Sequence, residues 1–122
     1  MLRERRYGKF DGTPYSMMKK YYDTWETLSK KERITYRPYK GYETDEEAVA
    51  RFITFLREVA VTYAGKTVLV VNHGGLMRAF LNHISEETYH SGAVSNLAHI
   101  KLESDGVDFF IKEKQGINNP ND

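Results

Sequence analysis

Cysteine is absent from this chain. Disulfides, thiolate nucleophiles and thiolate metal ligands are therefore excluded, and the absence accords with a reducing, cytoplasmic setting. Long apolar runs are also lacking. The longest uninterrupted aliphatic stretch is Val68 to Val71, too short for a membrane span or for the apolar part of a signal peptide. There is no excess of one charge either: 18 Lys and Arg stand against 17 Asp and Glu, a net +1. The broad basic field of a nucleic-acid-binding module is missing. The four histidines form no close His-x-His or His-x-x-x-His pair, which argues against a zinc site. No P-loop, dinucleotide fingerprint or Gly-x-Ser-x-Gly turn occurs, the last despite Ser91 and Ser95. Neither a cofactor nor a metal is expected.

What remains is an ordinary globular composition, 40% hydrophobic and 29% charged over 122 residues, enough for one domain with a real core. Residues 1–114 are expected to form that unit. Residues 115–122, Gln-Gly-Ile-Asn-Asn-Pro-Asn-Asp, form a polar tail expected to be loosely held. Residues 1–12 carry two glycines and no sustained periodicity, and suggest an irregular or extended entry. Thr13-Pro14 has the form of a helix start, and Tyr15, Met18, Tyr22, Trp25 and Leu28 recur at helical spacing, predicting a helix over roughly 14–29. Residues 30–42, broken by Pro38 and Gly41, suggest a loop.

Thr44 and Glu47 have the spacing of a capping box. Ala48, Val49, Phe52, Ile53, Leu56, Val59, Ala60 and Tyr63 mark one apolar face behind them, so a helix is predicted that ends before Gly65. A buried strand follows over Thr67–Asn72, then a second amphipathic helix from about Gly75 to His83. Val94–Glu103 and Val107–Lys112 flank Ser104-Asp105-Gly106, the pattern of a hairpin. The order helix, strand, helix implies a parallel or mixed sheet. With only three strands it is thin, and its edges need covering.

Two segments carry chemistry. His73 stands at the carboxyl end of the predicted strand, where open α/β sheets bind ligands, and Gly74-Gly75 let backbone approach whatever the imidazole faces. The alternative is a satisfied histidine beside a tight turn. Near the N-terminus, Arg3, Arg5 and Arg6 surround Glu4 in a glycine-containing segment. That carboxylate can serve as a general acid and the arginines as phosphate forks, unless the cluster is simply a solvated arm. His83, His90 and His99 do not follow an arginine at a strand end. The aromatic stretch from Tyr7 to Tyr42, with Phe10, Tyr15, Tyr21, Tyr22, Trp25, Tyr36 and Tyr39 between them, reads equally as a substrate lid or as a packed helix face.

Together the two segments resemble the histidine phosphatase superfamily, which includes cofactor-dependent phosphoglycerate mutases and small phosphomonoesterases. In that family a Leu-x-Glu-x-x-x-Gly segment precedes a later His-Gly strand end, as Leu2, Glu4 and Gly8 precede His73-Gly74 here. Gly41-Tyr42-Glu43 with Arg51 is similar to the family's Gly-Glu-Ser segment and the arginine of its next helix, and Ser95–Ile100 resembles the start of the following strand. The resemblance implies a partial phosphoglycerate mutase-like three-layer α/β fold: a mixed, mostly parallel sheet, flanking helices and a C-terminal hairpin. It implies that Glu4 is the acid, that His73 is the second, phosphate-stabilising histidine, and that Arg5, Tyr7 and Gly74 meet a small phosphorylated substrate or phosphate.

The family's first strand ends in Arg-His-Gly, whose histidine becomes phosphorylated, and a further arginine lies upstream of the glutamate segment. Neither occurs in this sequence. The chain is thus expected to correspond to the C-terminal part of the domain, with the Val68–Asn72 strand lacking its neighbour. Two readings result. One is a phosphohydrolase or phosphomutase whose nucleophile lies elsewhere. The other is a non-catalytic remnant that binds an anion or a protein, as a homo-oligomer or with a companion chain joined through the exposed sheet edge.

Overall fold

The structure, a computed structural model, describes residues 2–7, 19–85, 87–90 and 92–118, with backbone alone for 20–22. Its elements are α1 (Lys19–Thr27), α2 (Lys30–Thr35), α3 (Asp45–Thr62), α4 (Gly74–Ile84), β1 (Val94–Ser104) and β2 (Phe109–Ile117). The expected helix start at Thr13-Pro14 lies outside the described residues. From Lys19 onward the predicted helix is present as α1, ending at Thr27.

The capping box of α3 is formed. Thr44 Oγ1 accepts from the Glu47 amide at 3.2 Å and the Glu47 carboxylate accepts from the Thr44 amide at 3.5 Å. Asp45, Glu46 and Glu47 put three acidic side chains in the first turn, where the helix dipole favours them. The same device starts α2 inside the segment expected to be loop: Glu32 N–H donates to Ser29 Oγ at 3.2 Å, and Ser29 N–H to Glu32 Oε2 at 2.8 Å. That local pattern, Ser-x-x-Glu, outweighs the loop signal of Pro38 and Gly41 further on.

The core lies where α3 and α4 meet. Ala48 and Phe52 of α3 pack with Leu76 and Phe80 of α4, and Leu2, Val70, Leu102 and Phe109 close the cluster. Phe52 and Phe80 meet edge to face at 5.2 Å between ring centres, and Phe80 meets Phe109 likewise at 5.9 Å. A second cluster joins Leu81 to Tyr89 and Ala93, with Met77, Val94, Ile100, Ile111 and Ile117 around it. Through these two clusters α4 is packed on α3 and on the hairpin.

The sheet differs from the expectation of a mixed, mostly parallel one. Among the described residues it has two strands, β1 and β2, paired antiparallel. Thr67–Asn72 belongs to no sheet. Val70 turns inward to the core, whereas Leu69 and Val71 are 89% and 76% exposed. An apolar, β-branched run supplies strand propensity, but a strand exists only through a neighbour's hydrogen bonds, and among the described residues no strand pairs with it. Val68 is 42% exposed as well, so the segment lacks the two-sided burial of a central strand.

The hairpin forms where the Asp-Gly signal placed it, with shifted limits. Asp105 Oδ1 accepts from the amides of Val107 and Asp108 at 2.9 and 2.8 Å, closing a loop that delays β2 to Phe109. These two donors hold the Asp105 carboxyl below its ordinary range. β2 then runs to Ile117, which pairs with Val94, so the first three residues of the expected loose tail are strand. Residues 119–122 of that tail lie outside the described residues. Between the Val94 and His99 pairings the register slips, with Leu97 at φ +64° and Gly116 at φ +74° on the two sides. A Cβ on Gly116 would fall 2.9 Å from Ala98 Cα, so the bulge requires glycine there both for its backbone angle and for its space.

Candidate functional site

Residues 2–7 are fastened to the segment before α3. Tyr7 and Tyr42 form an antiparallel bridge, Glu43 N–H donates to Arg6 C=O at 2.8 Å, and the Tyr39 hydroxyl donates to Tyr7 C=O. The Tyr42 ring meets both the Tyr7 and the Tyr39 ring edge to face. These aromatics and the buried Trp25 are packed side chains, while Phe10 and Tyr15 of the same stretch lie outside the described residues.

Fastening this segment delivers Glu4 to the start of α4. The Glu4 carboxylate accepts from the Gly75 amide at 3.0 Å through Oε2 and from the Leu76 amide at 3.0 Å through Oε1, and Oε1 also accepts from the Arg5 amide at 2.8 Å. His73 is the N-cap of α4 but its side chain makes no capping bond. The first-turn amides, which have no acceptor within the helix, are thus satisfied by a carboxylate 71 and 72 residues earlier in the chain. The His73 side chain is exposed beside them, and its C=O accepts from the Met77 amide at 2.9 Å.

Of the two glycines, Gly75 is the one whose missing side chain matters. A Cβ there would lie 2.6 Å from Tyr7 Oη and 2.8 Å from Glu4 Oε1, whereas one on Gly74 would meet Val94 at an ordinary 3.7 Å. Glu4, Tyr7 and the first turn of α4 therefore meet around Gly75. The structure brings Glu4, His73, Tyr7 and Gly74 into one neighbourhood.

Arg5 points elsewhere. Its guanidinium is buried, forms an ion pair with Asp45, donates to Glu43 C=O at 2.7 Å and lies over the Tyr42 and Tyr7 rings at 5.3 and 5.7 Å. Burial alone pulls its pKa down; the Asp45 charge, with smaller contributions from Tyr42 and Tyr7, more than reverses this and leaves it above the ordinary arginine value. Next to it, burial pushes the Glu43 carboxyl up, but hydrogen bonds from Arg51, the Arg6 amide and Arg3 pull it down to about 2. The donor distances are 2.7 Å for Arg51 Nε, 2.9 Å for Arg6 N and 2.9 Å for Arg3 Nη1.

Sequence reasoning did not single out Asp45, the partner of Arg5 across 40 residues, or Arg78. The Arg78 side chain is buried on α4 against Trp25 at 5.1 Å, and its Nη1 has no hydrogen-bond partner among the described residues. Nothing in the sequence pattern marks either one. His83, His90 and His99 are all exposed and lie outside this neighbourhood; His90 faces Glu26 at 3.8 Å and the Trp25 ring at 6.0 Å. No group of three or more potential metal ligands gathers among the described residues, and no helix there is long and apolar enough to cross a membrane.

A family model described as histidine phosphatase superfamily (branch 1) matches residues 1–115. No curated protein sequence and no solved structure gives a significant match.

Proposed function

Because the chain belongs to the histidine phosphatase superfamily, branch 1, we propose that it is the phosphate-ester-binding part of a phosphohydrolase or phosphomutase that works through a phosphohistidine. The observation that carries this reading is the Glu4 carboxylate on the Gly75 and Leu76 amides, two and three residues past His73. A helix start that accepts one anion can accept another, and a histidine beside it can donate to the same oxygens.

In the proposed reaction the nucleophilic imidazole of an Arg-His-Gly strand, which these 122 residues do not contain, attacks phosphorus. The bond from phosphorus to the ester oxygen breaks, and Glu4 gives that oxygen its proton. Water or a second hydroxyl then attacks the phosphohistidine and returns a proton to Glu4, making the outcome hydrolysis or transfer. His73 donates to the equatorial oxygens throughout. Tyr7 and Gly74 border the ester, and Arg5, locked on Asp45, fixes the segment that carries Glu4. A phosphate dianion and the Glu4 carboxylate on the same amides repel one another unless a proton lies between them, which ties substrate binding to loading of the acid.

The test is amide NMR with inorganic phosphate, coupled to an assay with p-nitrophenyl phosphate. The 122-residue chain should show saturable shifts at Gly75 and Leu76, weakened by H73A, and no turnover. Unmoved amides would sink the reading; turnover abolished by H73A would make His73 the phosphorylated residue and overturn the division of roles.

The exposed Val68, Leu69 and Val71 favour a second reading, a non-catalytic module in which this unpaired segment recruits another copy or a companion chain. It retains anion binding and dispenses with the nucleophile.

A further inference from the structure

A cleft of about 370 Å³ opens beside the N-terminal segment, and it shares no lining residue with the Glu4, Tyr7 and His73 neighbourhood. Arg3, Arg6, Arg37 and Arg51 line it together with Glu43 and Glu47. Four guanidinium groups against two carboxylates leave two positive charges in excess.

The carboxylates are already engaged. Glu43 accepts from Arg51, Arg3 and the Arg6 amide, and Glu47 pairs with Arg37 at the rim. The Arg6 guanidinium is exposed and takes no ion pair or hydrogen bond among the described residues. Arg3 and Arg37 are 44% and 47% exposed and each uses one terminal nitrogen in its ion pair, so both keep donors directed to solvent. Glu43 holds Arg3 and Arg51 in place from below, which pre-organises two of the four forks.

We propose that this cleft binds the phosphoryl group of a small organic phosphate, as a second anion position independent of the Glu4–His73 site. A phosphomonoester dianion matches the two excess charges, whereas a single carboxylate leaves one uncompensated. Guanidinium forks match tetrahedral oxyanions by paired hydrogen bonds. The volume lies within the range of about 300 to 1,000 Å³ typical of sites for whole small molecules, which leaves room for an organic body beyond the phosphoryl group.

The experiment follows the side-chain Nε–Hε signals of Arg3, Arg6 and Arg37 in the full chain during titration with glycerol 2-phosphate and with inorganic phosphate, against chloride at matched ionic strength. Both phosphates should shift these signals saturably, the ester more tightly than the bare ion. R6Q and R37Q, both on exposed side chains, should each weaken binding by about tenfold without moving the thermal midpoint, and H73A should leave it intact. The proposal is overturned if the signals fail to saturate by about 10 mM, if chloride moves them equally, or if H73A abolishes the response and so assigns it to the other site. A response to inorganic phosphate equal to that of the ester restricts the cleft to the bare anion and overturns the organic-ligand assignment.

Discussion

At the scale of single residues, the Glu4–His73 neighbourhood depends on what is missing from Gly75, and the arginine-lined cleft on what surrounds Glu43. Alanine at position 75 brings a Cβ against the ends of two flexible side chains, Tyr7 and Glu4, so those side chains yield rather than the backbone. G75A should change stability by less than about 1 kcal/mol, because the helix-propensity gain of Gly to Ala offsets a weakened cap. The Leu76 amide signal and its phosphate response should nevertheless be lost, while G74A keeps both; equal behaviour of the two variants would refute the role given to Gly75. Glu43 predicts an acid dependence. Its folded pKa of about 2 lies below the ordinary 4.5, so its contribution is complete above pH 4.5 and disappears as pH falls through about 2. In urea unfolding, E43Q should be less stable than the parent at pH 5 and approach it near pH 2. Parallel curves for the two proteins would contradict this.

Among the elements, two capping boxes have unequal consequences. T44A removes the cap of α3, which supplies Ala48 and Phe52 to the core, and should cost about 1 kcal/mol in chemical denaturation. S29A opens the same motif on α2, which buries no residue, and its loss should register as local fraying with a smaller global change. The two boxes also show what a sequence makes legible. Capping boxes, the amphipathic faces of α3 and α4 and the Asp-Gly turn are encoded within a few residues, and each produced its element. The Ser29–Glu32 box was present in the same form, although the proline and glycine beyond it signalled a loop. The pairing of Val68–Val71 is not encoded locally, because a ladder depends on which strand lies alongside. Within the site, the Leu-x-Glu and His-Gly-Gly segments indicated where to look. The Arg5–Asp45 pair and the need for Gly75 arise only from tertiary contact.

For the molecule as a whole, the outward Leu69 and Val71 are two exposed apolar side chains on one short β-branched run, a liability for association. Sedimentation velocity at low micromolar concentration should show association of the parent, and L69K/V71K, which leaves the inward Val70 in the core, should give a monomer with unchanged helical content. A monodisperse monomeric parent would rule out the edge-pairing reading. The long-range cap on α4 has a consequence for motion. The Gly75 and Leu76 amides borrow their acceptor from the other end of the chain, so undocking of residues 2–7 frees them while α4 stays wound. Later amides of α4 exchange with solvent only when the helix itself melts. Hydrogen–deuterium exchange at these two positions thus keeps time for the docking of the N-terminal segment, and phosphate that displaces Glu4 would slow exchange at the very amides that undocking exposes.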